Sequence, residues 1–389
     1  MAKKKAERKA KAEAKPEARA IPKGSPFGEA SRVELLESHL RQFGDINATN
    51  AWRFVYEELL WFDKSTGLVH LYESDKVRPG RSSWYARSIA LTDRLCDLFG
   101  ADRTGLKNRI DRLFLACLER LVESHQAGDG RSQAIAAVAE TGEQTGLPPG
   151  VVEEAKEAAK QVQREEDFVP YAELLAEVTE LLISRAGMSE AAAAGLAREI
   201  VDRARFHLTF GSNRQNVLGE GFEDLLKLLA VRVAGVPPEK IVLRRKANEL
   251  PGFQGKLEQA RRIESPDIVI VDGGQTAFLS TVKWSLRHDR QKQLSDELVC
   301  YAQLLSQDRF PEYVLVTNEY DPGRLKNSSN LSSRGKTVDR IYHINPDLLV
   351  EVLSDVPSSA DEVQQLIDAD RLRSLEAFLN DLGRWRPAS

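Results

Sequence analysis

Two consecutive glycines, Gly273 and Gly274, separate two runs of strand-forming residues and mark a place where the chain doubles back. On one side stands Ile268–Val271, and on the other Thr276–Lys283. Both runs are rich in β-branched and aromatic side chains, the composition of paired strands. If Asp272–Thr276 forms the turn, a symmetric register sets Val271 opposite Leu279 and Asp267 opposite Lys283. Alternation then places Asp267, Val269 and Val271 on one face with Leu279, Thr281 and Lys283. A carboxylate and an ammonium sixteen positions apart meet at the open end of one hairpin.

The chain before this hairpin reads differently from the chain around it. From Ser31 to about Phe210, apolar residues recur at helical spacing, as in Trp52-Phe54-Val55-Leu59 and Ile110-Leu113-Leu118-Leu121. Val151–Glu166, Tyr171–Ala186 and Ser189–Leu208 are strings of strong helix formers. Gly128, Gly130 and Pro148–Gly150 mark loops, and Gly67–Tyr72 reads as an isolated strand. Asp102–Leu121 reads either as a helix-turn-helix or as an ordinary helical pair.

After Phe210 a helix over Gln215–Ala234 is followed by short strand-like runs. These are Ile241–Leu243, Ile268–Val271, Thr276–Lys283, Tyr313–Thr317 and Asp339–Ile344. The expected fold is α/β: a mixed sheet flanked by helices, preceded by an all-helical N-terminal domain. The divisions are a basic tail at 1–24, a helical domain at 25–200 and an α/β domain at 201–389, with the boundary near 190–212.

Charge and cysteine content bound the function. The net charge of −4 conceals a tail whose first 23 residues carry nine Lys/Arg against three Glu, leaving the remainder near −10. That tail has too little apolar surface to fold alone, and it suits either solubility or a phosphate polymer. Three scattered cysteines with no CxxC spacing suggest neither a disulfide frame nor a zinc site. No apolar run spans a bilayer and the N-terminus lacks a signal peptide's apolar centre, so a soluble intracellular protein without membrane association is expected.

The Asp267–Lys283 pair is suited to phosphodiester hydrolysis. That reaction needs a hard cation to neutralise developing charge and activate water, and a fixed positive group near the attacking oxygen or scissile phosphate. Asp267 is a candidate Mg²⁺ ligand and Lys283 a candidate to orient water. Two positions before Lys283 stands Thr281, where a second carboxylate would be useful; fourteen after it stands Glu297, on the following helical segment.

Pro266-Asp267, Lys283 and Glu297 together resemble the PD-(D/E)XK nuclease superfamily, and within it the type II restriction endonucleases of the CCGG-recognising branch. In that branch the second acidic ligand is displaced from the strand to the next helix. The family's upstream helical glutamate is matched by Glu223, with Glu220 second. Its base-reading element, four residues after the lysine, is matched by Arg287-His288-Asp289-Arg290. Arginine forks onto guanine O6 and N7 while aspartate accepts from cytosine N4.

The resemblance implies a restriction-endonuclease-like fold and Mg²⁺-dependent double-strand cleavage at a palindromic CCGG-containing site. Asp267 and Glu297 are implied metal ligands, with Lys283 and Glu223 catalytic. Arg287, Asp289 and Arg290 are implied base readers, with Ser285 and His288 as candidate backbone contacts. It further implies double-stranded DNA as partner, a homodimer or higher oligomer, a cognate DNA methyltransferase and a prokaryotic cytoplasm. The helical half would then clamp DNA or mediate oligomers.

Each residue also has a plainer reading. Asp267 suits a strand-entry turn, Lys283 an edge-strand charge, Arg287–Arg290 a solvated helix start and Glu297 an exposed helical carboxylate. Glu223 has Lys227 as an i+4 partner. Trp284 is expected to pack, and Tyr313–Thr317 to form a buried strand. The polar stretch Asn327–Lys336 suits phosphate contacts or an ordinary surface loop. Other function classes remain open at this point: a structure-specific nuclease of the same fold, and a DNA-binding regulator without catalysis.

Overall fold

The computed structural model describes residues 26–63, 66–71, 83–127, 171–186, 188–257, 263–307, 309–333 and 335–387, with backbone alone at 121–127, 171–175, 177, 185, 198–213 and 288–289. The basic tail, Gly128, Gly130, Pro148–Gly150 and Val151–Glu166 lie outside the described residues. The chain begins with α1 (Glu29–Phe43), α2 (Ala51–Leu59), α3 (Ser83–Phe99), α4 (Arg103–Lys107) and α5 (Arg112–Ala127). Then come α6 (Tyr171–Ala186) and the 43-residue α7 (Glu190–Arg232). The segments expected as separate helices at Ser189–Leu208 and Gln215–Ala234 are thus one helix. Gly211 between them weakens a helix but does not break it. The expected boundary at 190–212 falls inside that helix.

The second half alternates strands and helices: β1 (Ile241–Leu243), β2 (Ile268–Asp272), β3 (Gln275–Lys283), α8 (His288–Leu304), β4 (Glu312–Thr317) and α9 (Pro322–Ser329). It continues with β5 (Ser332–Ser333), β6 (Lys336–Thr337), β7 (Arg340–His343), α10 (Pro346–Val352), α11 (Pro357–Asp368), β8 (Leu372–Ser374) and α12 (Leu375–Leu382). Six strands form one mixed sheet in the order β1-β2-β3-β4-β7-β8. β1, β2 and β3 are antiparallel neighbours, while β3, β4, β7 and β8 run parallel. The fold is α/β with helices flanking this sheet and an N-terminal helical region. Gly67–Leu71 contributes only a bridge, between Phe62 and Val69. Among the described residues no helix is long and apolar enough to cross a membrane.

The hairpin corrects the symmetric register. Gly273 and Gly274 take positive φ, 57° and 78°, in a two-residue turn that pairs Asp272 with Gln275 and Val271 with Thr276. Continued unbroken, that pairing would put Asp267 and Lys283 on opposite faces, because a one-residue slip inverts a strand. A bulge intervenes: Ile270 pairs with Phe278, skipping Ala277, and Ile268 then pairs with Ser280. The open end is therefore shifted by two residues from the symmetric expectation. A two-residue shift preserves parity, and Asp267 stays on the face of Thr281 and Lys283.

One apolar core runs through both halves. Leu36, Phe54, Val55, Leu95 and Phe114 from the N-terminal helices share it with Phe222, Leu225, Leu226 and Leu229 of α7. Ile268, Val269, Ile270 and Leu279 of the sheet continue it. β4 sits between parallel neighbours and is buried on both faces, as its unbroken apolar run predicts; Tyr313 through Val316 are 0% exposed.

Candidate active site

Asp267 immediately precedes β2 and Lys283 closes β3, so the opposite directions of the two strands bring both to one edge of the sheet. Lys283 Nζ donates to Asp267 Oδ2 at 2.8 Å, and the Val282 amide donates to the same oxygen at 2.7 Å. Both side chains are largely enclosed, 11% and 14% exposed. An ion pair this enclosed fixes the ammonium more firmly than a solvated edge-strand lysine.

Glu297, on α8, is buried rather than an exposed helical carboxylate. Its Oε2 accepts from Thr281 Oγ1 at 2.6 Å and from the Tyr313 hydroxyl at 3.0 Å, and those two hydroxyls lie 2.9 Å apart. The helical carboxylate is thereby held against the strand position two before Lys283. Tyr313, expected as a plain core residue, supplies one of the two donors; its aromatic character alone gave no sign of this.

Glu223 is buried on α7, and its partner is Arg244 rather than the expected Lys227. Arg244 Nε donates to Glu223 Oε2 at 2.5 Å, and Nη2 donates to Asp224 Oδ1 at 2.5 Å and to the Glu220 carbonyl at 2.8 Å. Arg32 of α1 binds the far side of the same helix face, at 2.8 Å from Asp224 Oδ2 and 2.7 Å from Glu220 Oε2. Glu220 is 41% exposed in its side chain and Glu223 only 11%. Arg244, Arg32 and Asp224 lie outside the residues that sequence reading selected, since none shares a spacing with the Asp267–Lys283 motif.

The electrostatics join these groups into one site. Burial, with the negative charge of Asp267 adding to it, pushes the Glu223 carboxyl up to about 8 against the opposing pull of Arg244 and Lys283. Burial likewise raises Glu297 to about 7; Lys283 opposes this and Asp267 reinforces it. For the Lys283 ammonium, burial pulls downward, but Asp267 and Glu297 outweigh it and hold its pKa above the ordinary value.

Hard divalent cations such as Mg²⁺ take oxygen ligands and commonly use one or two carboxylates with several waters. Asp267, Glu297 and Glu223 each have one oxygen held by protein donors, while the other carries no hydrogen bond among the described residues. This donor chemistry fits a Mg²⁺ held by Asp267 and Glu297. Among the described residues no three His, Cys, Asp or Glu side chains gather closely enough to hold an ion by themselves, so water would complete the shell.

The expected base-reading element starts α8. Arg287 is the residue preceding that helix and is half-buried, and Arg290 is half-buried with Nη1 3.4 Å from Gln293 Oε1. His288 and Asp289 lie in the first turn; their side chains are outside the described ones. Ser285 is 2% exposed, which sets its hydroxyl behind the surface that a backbone contact would use. Trp284 packs, its ring edge-on to Phe222 at 5.2 Å.

The loop leading to Arg287 is clamped by Glu319, whose Oε2 accepts from the Leu286 amide at 2.5 Å and whose Oε1 accepts from the Asp321 amide at 2.9 Å. The N-terminal helices reach the same rim: the guanidiniums of Arg87, at 5.0 Å, and Arg324, at 5.1 Å, both lie over the ring of Trp84 of α3.

The chain thus presents an enclosed Asp–Lys pair with two buried glutamates of raised pKa, at an edge where a helix begins with arginines. No protein-family model matches this chain, and no curated protein matches it.

Proposed function

We propose that this chain is a Mg²⁺-dependent type II restriction endonuclease with a restriction-endonuclease-like fold, making double-strand breaks in DNA at a palindromic site containing CCGG. One observation carries the reading. Asp267 and Lys283 are paired at 2.8 Å beside a Glu297 carboxylate that is hydrogen-bonded to the strand at Thr281. A solvated edge lysine and an exposed helical glutamate would need none of this enclosure.

When bound, Mg²⁺ supplies charge neutralisation at the scissile phosphate and lowers the pKa of its water. Asp267 and Glu297 are the residues that would hold it, with Glu223 contributing through water. Lys283 holds a fixed positive charge where the attacking water and the phosphate meet, and its own position is set by Asp267. Arg287, Asp289 and Arg290 at the start of α8 are the base readers. A twofold palindrome calls for a homodimer or higher oligomer, and such an activity calls for a cognate methyltransferase in the same prokaryotic cytoplasm.

The test is digestion of a sequenced plasmid with and without Mg²⁺, mapping the ends, alongside Lys283→Ala. Discrete Mg²⁺-dependent cuts at CCGG, lost in the variant, are expected. Cuts at another sequence would retain the nuclease and remove the base-reading assignment. Cleavage governed by branched DNA would point to a structure-specific nuclease. Sequence-specific binding without strand breaks would point to a regulator.

A further inference from the structure

Arg244 lies just beyond β1, where the strand ladder runs out. Its amide still donates to the carbonyl of Asp267 at 3.2 Å, extending the β1–β2 pairing by one residue. Its side chain leaves in the other direction and forks onto the helix, at 2.5 Å from both Glu223 and Asp224 and 2.8 Å from the Glu220 carbonyl. A single residue therefore ties the backbone that carries Asp267 to the helix face that carries Glu223.

Its backbone conformation points the same way. Arg244 has φ +50°, a left-handed conformation that side-chain-bearing residues rarely adopt. Glycine would satisfy that backbone without strain, and arginine is retained in it by contacts that only a planar multi-donor head can make together. Lysine offers the same charge without the fork. Nor is this face short of positive charge for stability alone, since Arg32 already pairs with Asp224 and Glu220 from the other side.

We propose that Arg244 is a positioning residue that sets the Glu223 carboxylate relative to Asp267, so that both serve one reacting phosphate. The inference rests on the nuclease reading. Arg244 touches neither water nor phosphate in this role; it acts through Glu223.

The experiment compares wild type, Arg244→Lys, Arg244→Gln, Glu223→Gln and the double variant Arg244→Gln/Glu223→Gln. Three measurements are made: single-turnover cleavage of a CCGG duplex with Mg²⁺, duplex affinity with Ca²⁺, and Mn²⁺ affinity by calorimetry without DNA. Circular dichroism melting reports folding for each. Misplacement of a reacting group by an ångström costs on the order of a hundredfold in rate. Arg244→Lys and Arg244→Gln are both expected to lose about that much, with weaker Mn²⁺ binding and duplex affinity within about threefold of wild type. In the Glu223→Gln background the Arg244→Gln change is expected to cost less than about threefold, because the group it positions is already gone.

Wild-type cleavage and Mn²⁺ affinity in Arg244→Lys would show that charge alone suffices and overturn the inference while keeping the nuclease. Full additivity of the two changes would also overturn it. No cleavage and no Mn²⁺ binding by the wild-type chain would remove the nuclease reading, and this inference with it.

Discussion

Glu297 Oε2 lies 2.6 Å from Thr281 Oγ1, so a carboxylate carried by a helix meets the side chain of a strand residue sixteen positions earlier. The acid absent from the strand position before Lys283 is present there in space. Removing either donor tests whether this docking matters. Thr281→Val and Tyr313→Phe should each cost about 1–3 kcal/mol by leaving Glu297 less satisfied. Together they should slow single-turnover cleavage at least about tenfold without weakening duplex binding. Denaturant unfolding and cleavage kinetics read the two effects separately, and unchanged kinetics would reduce Glu297 to a structural role.

Asp267 and Lys283 form an enclosed pair, so removing one partner strands the other. Asp267→Asn is expected to destabilise by about 3–5 kcal/mol, since it leaves an ammonium without its counter-charge. Lys283→Met combined with Asp267→Asn should cost less than the two single changes added together. Urea midpoints for the four proteins of that cycle measure the coupling, and strict additivity would contradict a close pair.

The raised glutamates make stability depend on pH in a defined direction. Glu223 and Glu297 sit at about 8 and about 7 when folded, against an ordinary value of 4.5. The folded chain therefore binds protons that the unfolded chain has released. This contribution is complete below about 4.5 and is lost as pH rises through the folded values. Without metal, the melting temperature should fall between about pH 4.5 and pH 8, and Glu223→Gln/Glu297→Gln should flatten that slope. Added Mg²⁺ should protect most at the alkaline end, where the carboxylates are ionised.

Glu319 connects the loops after β3 and β4. Glu319→Ala leaves the Leu286 and Asp321 amides without their acceptor, at about 1–3 kcal/mol for each amide left buried. The loop that delivers Arg287 loses its anchor, so duplex affinity should fall more than the cleavage rate at saturating DNA. Equal loss in both would point to general unfolding.

Ala277 is the skipped residue of the bulge, and its deletion tests the parity argument. Were Ala277 forced into the ladder, Asp267 would fall on the face opposite Lys283; with Ala277 removed, Asp267 stays opposite Thr281 and on the face of Lys283. Deleting Ala277 should therefore leave cleavage largely intact, whereas deleting Val282, which moves Lys283 by one position and so to the opposite face, should abolish it even if the hairpin still forms. Strand pairing in each deletion variant can be followed by amide exchange.

The hairpin was legible because β-branched runs around a glycine pair leave few alternatives, and the even spacing of Asp267, Thr281 and Lys283 survived a two-residue error in register. The bulge was not legible: nothing in Thr276-Ala277-Phe278 distinguishes a skipped residue from a paired one. The buried strand Tyr313–Thr317 was evident from its apolar run, but the use of the Tyr313 hydroxyl depends on α8 crossing above it. Glu223 was found by its place on a helix, while Arg244 was missed because the contact forms across tertiary space. The unbroken α7 was read as two helices because a glycine and polar residues interrupt its apolar pattern without interrupting its backbone.

The shared core has a consequence for anyone dissecting the chain. A fragment beginning at residue 201 would lose Arg32, and with it the ion pairs to Asp224 and Glu220, and would strip Phe54 and Phe114 from an apolar face that includes Phe222. The N-terminal helices are thus no detachable accessory to the acidic edge of the sheet. A chimera that replaced them would have to supply a new guanidinium for Asp224 as well as a new apolar surface, and the two halves exchange between scaffolds only as one block.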